Sequence, residues 1–176
     1  MGIIKRPCRV KLVTGLLFND PEKYNTAKKA LARIFGRIDF ESDSLDFVHT
    51  AYYNAEMAPG LKRRFLSFER LCALKNICAV KVKTNALEKR YAKDGRRQIN
   101  IDPGYLDLAK LVLFSTKDYT HRIYVDKDIY AEVTLFYKDN SFNTWPWTYP
   151  DYKSTEYIHI FESMRQIYKE QITKKG

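Results

Sequence analysis

Residues 9–36 read RVKLVTGLLFNDPEKYNTAKKALARIFG, and this stretch changes from a strand pattern to a helix pattern at Asp20. The segment Arg9–Phe18 is apolar enough for a strand. Asp20 is a favourable N-cap residue, and Pro21 suits the first position of a helix. Apolar residues then recur at helical spacing as far as Gly36, which favours the end of the helix. The chain therefore opens with a predicted strand followed by a predicted helix.

Further strands are predicted along the middle of the chain, because short apolar or alternating segments there are bounded by turn residues. In the second arm of a predicted hairpin, Glu132 faces away from the side that carries Ala131, Val133 and Leu135. The expected extended segments are residues 38–48, 62–71 (where the pattern permits a strand), 80–83, 99–102, 108–114, 123–125 and 130–137.

Two more helices are expected. Asn85 and Glu88 have the spacing of a capping box, which predicts a short helix that runs to about Tyr91. The last helix is expected to start near Ser154. It carries an apolar stripe that is typical of a core-facing helix, formed by Tyr157, Ile160, Phe161, Met164, Ile167 and Tyr168.

Helices near both ends with strands between them predict an α+β fold in a single domain over residues 1–176. The sheet is expected to be mixed or mainly antiparallel. The hairpin supplies one antiparallel pair, whereas the strand–helix opening allows one parallel neighbour beside the first strand.

The charge of the chain favours anionic partners. Its 31 Lys+Arg residues exceed its 21 Asp+Glu residues, which gives a net charge of +10. A positive field of this size attracts nucleic acid, nucleotides, acidic proteins or a membrane surface, and nucleic acid or a phosphorylated small molecule is the expected partner. Ordinary solubility explains the same excess, so charge alone leaves both interpretations open.

The cysteines and the apolar runs predict a cytoplasmic protein that does not enter a membrane. The three cysteines, Cys8, Cys72 and Cys78, are odd in number and lack the paired spacing of a zinc site. Too few residues precede Lys5 for a signal peptide, and no apolar run approaches a membrane span. No metal or cofactor is expected, and the oligomeric state stays open.

The strongest basic cluster is Lys62-Arg63-Arg64, which precedes Phe65 and Phe68. Cations interleaved with aromatic rings suit nucleic acid, because the rings stack on bases while the cations meet phosphates. A charged edge strand that resists aggregation has the same composition.

Asp102 lies at the end of a predicted strand, directly before Pro103-Gly104. A carboxylate at a strand end is a candidate general base or cation ligand. Asp before Pro-Gly also commonly bonds the backbone of a turn, and we favour that interpretation of the pattern.

The segment 117–124, KDYTHRIY, holds the densest set of chemically capable groups. His121 is a candidate acid/base, and Glu132 on the hairpin is its candidate partner. Arg122 is a candidate clamp for a phosphate or carboxylate. On an extended strand Arg122 and Tyr124 share a face, whereas His121 points to the other, so His121 and Arg122 meet only if the backbone bends.

Several stretches are similar to a known family. They are VKLVTGLLF, DFESDSLDF, YYNAEMAPGLKRRFLSFERL, NIDPGYLDLAKLVLFSTKDYTHRIY, IYAEVTLFY and WPWTYPDY, and together they span about residues 10 to 165. The chain resembles the domain of unknown function 4416 family. The resemblance implies a complete single-domain protein, and it transfers no activity and no catalytic residue.

These observations favour binding of an anionic ligand, nucleic acid or a nucleotide, near Lys62–Arg64 and the segment 117–124. The sequence lacks a phosphate loop, a GxGxxG turn, HExxH and GxSxG, which argues against the common NTPase, dehydrogenase, protease and hydrolase classes. An enzyme using His121 is the first alternative. A protein-interaction module that docks through the aromatic loop 145–152 is the second.

Overall fold

The computed structural model describes residues 2–4, 7–48, 57 and 60–174, and within them three helices accompany nine strands. His49 and most of the loop expected at residues 58–60 lie outside the described residues. The helices are α1 (Pro21–Phe35), α2 (Ile77–Tyr91) and α3 (Thr155–Thr173). The strands are β1 (Lys11–Phe18), β2 (Ile38–Glu41), β3 (Leu45–Asp46), β4 (Lys62–Phe68), β5 (Ile99–Leu106), β6 (Lys110–Ser115), β7 (Ile123–Asp126), β8 (Ile129–Lys138) and β9 (Ser141–Thr144).

The described strands form one sheet in the order β2-β4-β1-β5-β6-β8-β7, with β3 beside β4 and β9 beside β8. Every pairing is antiparallel. In the unit β1-α1-β2, strand β4 lies between β1 and β2 in the sheet. In the unit β4-α2-β5, strand β1 lies between β4 and β5. Two interlocked split β-α-β units are the ferredoxin-like arrangement. The α+β prediction is confirmed. The parallel neighbour that the sequence allowed for β1 does not occur, because β4 and β5 flank β1 and both run antiparallel to it.

The helices cover the sheet on both faces. One core cluster joins α1 and α2 to the sheet through residues such as Leu16, Leu31 and Ile101. A second cluster joins α3 to the opposite face through residues such as Phe65 and Phe161. Strand β1 is buried along its whole length because it lies between the two cores. This burial explains why its sequence is a nearly continuous apolar run.

The predicted ends of the first and last helices are confirmed. The Asp20 side chain accepts a hydrogen bond from the Glu22 N–H (2.8 Å), and Gly36 ends α1 with a φ of 102°. Ser154 caps α3 by accepting from the Tyr157 N–H (3.3 Å). The expected stripe of α3 faces the core, with Ile160 and Ile167 only partly buried.

The strand expected at residues 80–83 is wrong, because these residues belong to α2. Asn85, the expected N-cap of a shorter helix, lies in the middle of that helix. The helix buries one side against the sheet, and this side carries Lys81, Thr84 and Glu88 among its apolar residues. Polar residues within the buried side break the usual amphipathic pattern, so the alternation around Val80 resembled that of a strand.

The turn expected at Pro103-Gly104 is also wrong, since β5 continues through both residues to Leu106. A Cβ on Gly104 would lie 2.3 Å from the Val112 carbonyl oxygen on β6. Gly104 therefore permits close approach of two strands and does not serve a turn. Asp102 accordingly lies inside a strand. No helix in the described part of the chain has the length and apolar content needed to cross a membrane.

Candidate functional site

The sheet opens between β5 and β6. Residues Gly104–Leu106 pair with β6, whereas residues 99–103 pair with β1 alone. Ile101 and Pro103 direct their backbone groups to the open edge, because alternate residues of a strand bond to the same side. Pro103 has no N–H to donate there. A cleft of about 790 Å³ lies at this opening.

Side chains of α2 occupy the place of a missing strand at the open edge. The Ile101 N–H donates to the Glu88 carboxylate, and Lys81 Nζ donates to the Ile101 carbonyl oxygen (3.3 Å). Both side chains are buried. Burial raises the pKa of Glu88, and the positive charge of Lys81 only partly offsets this rise. Lys81 and Glu88 therefore have a structural role at the cleft wall.

Arg63 joins two carboxylates at the centre of the cleft. Its Nη1 donates to Asp102 Oδ2 (2.9 Å) and its Nη2 to Asp151 Oδ2 (3.3 Å). Burial by itself would raise the pKa of Asp102, but the charges of Arg63 and Lys81 lower it on balance. Burial raises the pKa of Asp151 despite Arg63. The two carboxylates on one guanidinium therefore differ in how readily they bind a proton.

Glu132 brings His121 and Arg122 together. Its Oε2 lies 3.0 Å from His121 Nε2 and accepts from Arg122 Nε (2.8 Å). The backbone bends just before β7, where the Arg122 N–H donates to the Tyr119 carbonyl oxygen (2.8 Å). Both side chains consequently reach one carboxylate. Arg122 and Glu132 line the cleft, whereas His121 does not.

Arg122 makes further bonds that tie loops together. Its guanidinium lies over the Tyr119 ring (4.5 Å) and donates to Ser115 Oγ and the Lys117 carbonyl oxygen, both at 2.9 Å. It also donates to the Tyr149 hydroxyl. A guanidinium has five N–H donors, so these bonds leave little capacity for a ligand. Arg122 is better suited to holding the cleft rim than to clamping an anion.

The three residues of the basic cluster 62–64 lie in different places. Arg63 is in the cleft, whereas Lys62 pairs with Asp46 and Arg64 pairs with Glu41 (2.8 Å). The rings expected to stack on bases, Phe65 and Phe68, are 1% and 0% exposed. That stacking hypothesis is wrong for these two rings, because both are part of the hydrophobic cores.

Tyr124 lies apart from Arg122, so the expected pair on one face does not form. Tyr124 is exposed on the edge strand β7, and its ring contacts Tyr130 (5.7 Å between centroids). Arg122 precedes β7 in the turn and is buried. The bend that brings His121 to Glu132 is the reason for this separation.

Charged side chains converge on the cleft from elements that are distant in sequence. Among the described residues, six cations meet four carboxylates. The cations are Arg63, Lys81, Lys89, Arg97, Lys117 and Arg122, and the carboxylates are Glu88, Asp102, Glu132 and Asp151. No group of three or more His, Cys, Asp or Glu in the described part of the chain is arranged to hold a metal ion.

Sequence reasoning missed most of the lining outside the segments 62–64 and 117–124. Lys81 and Arg97 sit beside no recognisable motif, and Asp151 lies in the loop 145–152, which was selected only as a docking surface. The fold alone brings them together. The sequence held one clue, Pro103, because a proline within a strand favours a strand edge that is not paired.

One family model matches this chain. It is described as a domain of unknown function (DUF4416) and covers residues 8–168, nearly the whole sequence. The family resemblance predicted from the sequence is thus confirmed. No curated protein and no solved structure matches the chain. The family description names no activity, so a function has to be inferred from the cleft.

Proposed function

We propose that this chain, which belongs to the DUF4416 family, binds a small anionic molecule in the cleft beside β5. A nucleotide or another phosphorylated small molecule is the expected ligand class. The observation that carries the proposal is the lining charge, six cations against four carboxylates in a partly enclosed space. The volume of about 790 Å³ suits a small molecule, since such sites range from roughly 300 to 1,000 Å³.

One cation of the cleft is available to a ligand. Lys89 on α2 is exposed and has no ion pair with any described residue, so its ammonium group is accessible to a ligand. A phosphate group next to Lys89 would gain a charge-assisted hydrogen bond.

A small molecule suits this site better than a nucleic-acid strand. Sequence-tolerant strand binding needs an open cationic groove with accessible rings. Lys62 and Arg64 are paired with carboxylates, and the neighbouring rings are buried. Among the described residues of the cleft, six cations exceed four carboxylates, so a small anion has a positively charged site there.

The proposal is tested by isothermal titration of the purified protein with inorganic phosphate, pyrophosphate, AMP and a single-stranded oligonucleotide. We expect the small phosphates to bind, with affinities that fall as salt increases. The Lys89→Ala change should weaken binding about fivefold, which corresponds to about 1 kcal/mol.

Lys83→Ala is the matched control, because Lys83 is also an exposed lysine of α2 but does not line the cleft. Equal loss of affinity in both variants would indicate a general effect of charge. If the oligonucleotide alone binds, the ligand is nucleic acid and the small-molecule proposal fails.

An enzyme is the second candidate, favoured by the contact of His121 Nε2 with Glu132 (3.0 Å) at the cleft rim. Such a pair can hold an imidazole ready for proton transfer. The test is release of inorganic phosphate from those phosphate esters that bind. Loss of this release in His121→Ala, with binding retained, would support catalysis. Release at the rate of buffer alone would argue against it.

We propose that the protein binds its ligand in the cytoplasm. Cys8, Cys72 and Cys78 are free thiols, and burial raises the pKa of both Cys72 and Cys78. Thiols that persist without pairing are typical of a reducing compartment. Fractionation of cells that produce the protein checks this assignment.

A further inference from the structure

The inner end of the cleft contains a buried hydrogen-bond donor that is not fully satisfied. Asn100 is 3% exposed and lines the cleft, and its Oδ1 accepts from Arg97 Nη1 (2.7 Å). Because a guanidinium only donates, this bond fixes which end of the amide is oxygen. The remaining group, Nδ2, makes no hydrogen bond of normal geometry, although it interacts with the neighbouring Asp102 carboxylate and helps to lower the pKa of that group. Buried donors are nearly always satisfied, so an unsatisfied one in a cleft points to a bound molecule.

A hydrogen-bond acceptor lies beside this donor. Asp102 is two residues from Asn100 on β5, so both side chains lie on the same face of the strand. Its Oδ2 accepts from Arg63, and its side chain is 28% exposed toward the cleft that it lines. The charges of Arg63 and Lys81 keep this group ionised, and an ionised carboxylate only accepts. A ligand group beside Asp102 must therefore carry an N–H or O–H.

The two ends of the cleft consequently favour different chemistry. Lys89 lies near the exposed residues Ala92 and Gly95 at the outer end, where an anion keeps part of its hydration, whereas Arg97 reaches Asn100 at the inner end. Asp102 at the inner end repels a bare phosphate. Neighbouring hydroxyl groups fit the inner end, because one can donate to Asp102 while the next accepts from Asn100.

We propose that the ligand is a phosphorylated compound with adjacent hydroxyl groups, a sugar phosphate or the ribose phosphate of a nucleotide. Asp102 and Asn100 bind the hydroxyls, and Lys89 binds the phosphate. This inference rests on the proposed function, since it names the ligand class of the same cleft. Tyr152, whose hydroxyl is also buried without a partner in the cleft wall, offers a third contact.

The test compares calorimetric affinities for inorganic phosphate, ribose phosphate, AMP and the dideoxy analogue of AMP that lacks both ribose hydroxyls. We expect AMP to bind about tenfold more tightly than its dideoxy analogue, since two hydrogen bonds are at stake. Ribose phosphate should exceed inorganic phosphate by a similar factor. Comparison of ribose phosphate with AMP shows whether the ligand is the sugar phosphate or the nucleotide.

Asp102→Asn and Asn100→Ala should each remove most of the hydroxyl-dependent gain and leave the affinity for inorganic phosphate nearly unchanged. Glu69→Gln is the control, because Glu69 pairs with Arg37 away from the cleft. Thermal unfolding checks the fold of each variant, and Asn100→Ala carries the test if loss of the Arg63 partner unfolds Asp102→Asn.

The outcomes separate the two proposals. If inorganic phosphate binds but hydroxyls add no affinity, or the two variants keep the full hydroxyl gain, this inference is wrong and the proposed function stands. If no phosphate compound binds, both are overturned.

Discussion

The two halves of β5 differ although they belong to one continuous strand. Residues Gly104–Leu106 are hydrogen-bonded to neighbouring strands on both sides. Residues 99–103 have a strand on one side only, and Glu88 and Lys81 bond the other side at Ile101. The closed half requires close backbone contact and tolerates no added atom at Gly104. The open half uses charged side chains where backbone would otherwise be.

This difference explains where the cleft lies. A backbone ladder satisfies polar groups without leaving space for a ligand, whereas side chains that bond a strand edge leave a gap with charged walls. The ionisable groups of the cleft lie around this gap because partners of opposite charge are available there, which offsets the cost of burying a charge. The closed half should therefore determine stability, and the open half should determine binding.

Gly104→Ala should have the largest effect on the closed half. The added Cβ would meet the Val112 carbonyl oxygen at 2.3 Å, and backbone atoms cannot move aside as a side chain can. We expect a loss of about 3 kcal/mol, at the upper end for overpacking. Urea denaturation measures this loss. A change below about 0.5 kcal/mol would show that β5 and β6 separate easily, which contradicts the contrast between the halves.

The sequence contained enough information for most of the fold. Strand β1, helix α1 and the capped start of α3 follow from local rules, because Asp20, Gly36 and Ser154 act on their immediate neighbours. The errors fell at α2 and at Pro103-Gly104, on the two sides of the cleft. At both places local preference was overridden by contacts between elements far apart in sequence.

The candidate site was less predictable than the fold. Arg63, Asp102, Glu132, His121 and Arg122 were selected from the sequence, and the structure places them in or beside one cleft. Their grouping depends on the register of the sheet, which side-chain chemistry alone does not reveal. Lys62 and Arg64 were selected with them and lie elsewhere, because alternate strand residues face opposite sides. Tyr124 also lies elsewhere, because Arg122 sits in the turn that precedes β7.

Replacement of Glu88 tests the open half, and we expect it to change the free energy of unfolding less than Gly104→Ala does. Glu88→Ala leaves the buried Ile101 N–H without an acceptor, so we expect a loss of about 2 kcal/mol. Glu88→Gln keeps an oxygen for that N–H and should be nearly neutral. Chemical denaturation of both variants measures the difference. Equal losses would mean that the charge of Glu88, and not its hydrogen bond, holds the strand edge.

The pH dependence of stability distinguishes Glu88 from Asp102. Burial raises the folded-state pKa of Glu88, so the folded protein holds that proton more tightly than the unfolded chain does. The contribution of Glu88 to stability therefore falls as pH rises above about 4.3, its unfolded pKa, and Glu88→Gln should flatten this fall. Asp102 has a lowered pKa, so its contribution is present above about pH 3.9 and is lost on acidification. If stability falls more steeply with rising pH in Glu88→Gln than in the unchanged protein, the assignment of this fall to Glu88 is wrong.

Pro103→Ala should have the smallest effect and tests what keeps the sheet open. The change adds an N–H on the open edge of β5 and makes the unfolded chain more flexible, which costs up to about 1 kcal/mol. Glu88 and Lys81 still bond that edge at Ile101, and β6 remains paired with β8, so we expect the gap to persist. The new amide should then exchange with solvent faster than the amides of Gly104–Leu106, as hydrogen exchange followed by NMR would show. A slowly exchanging amide together with weaker phosphate binding would mean that β6 has paired along the edge. In that case the missing N–H of Pro103 keeps the cleft open, and the side chains of α2 only fill the space that it leaves.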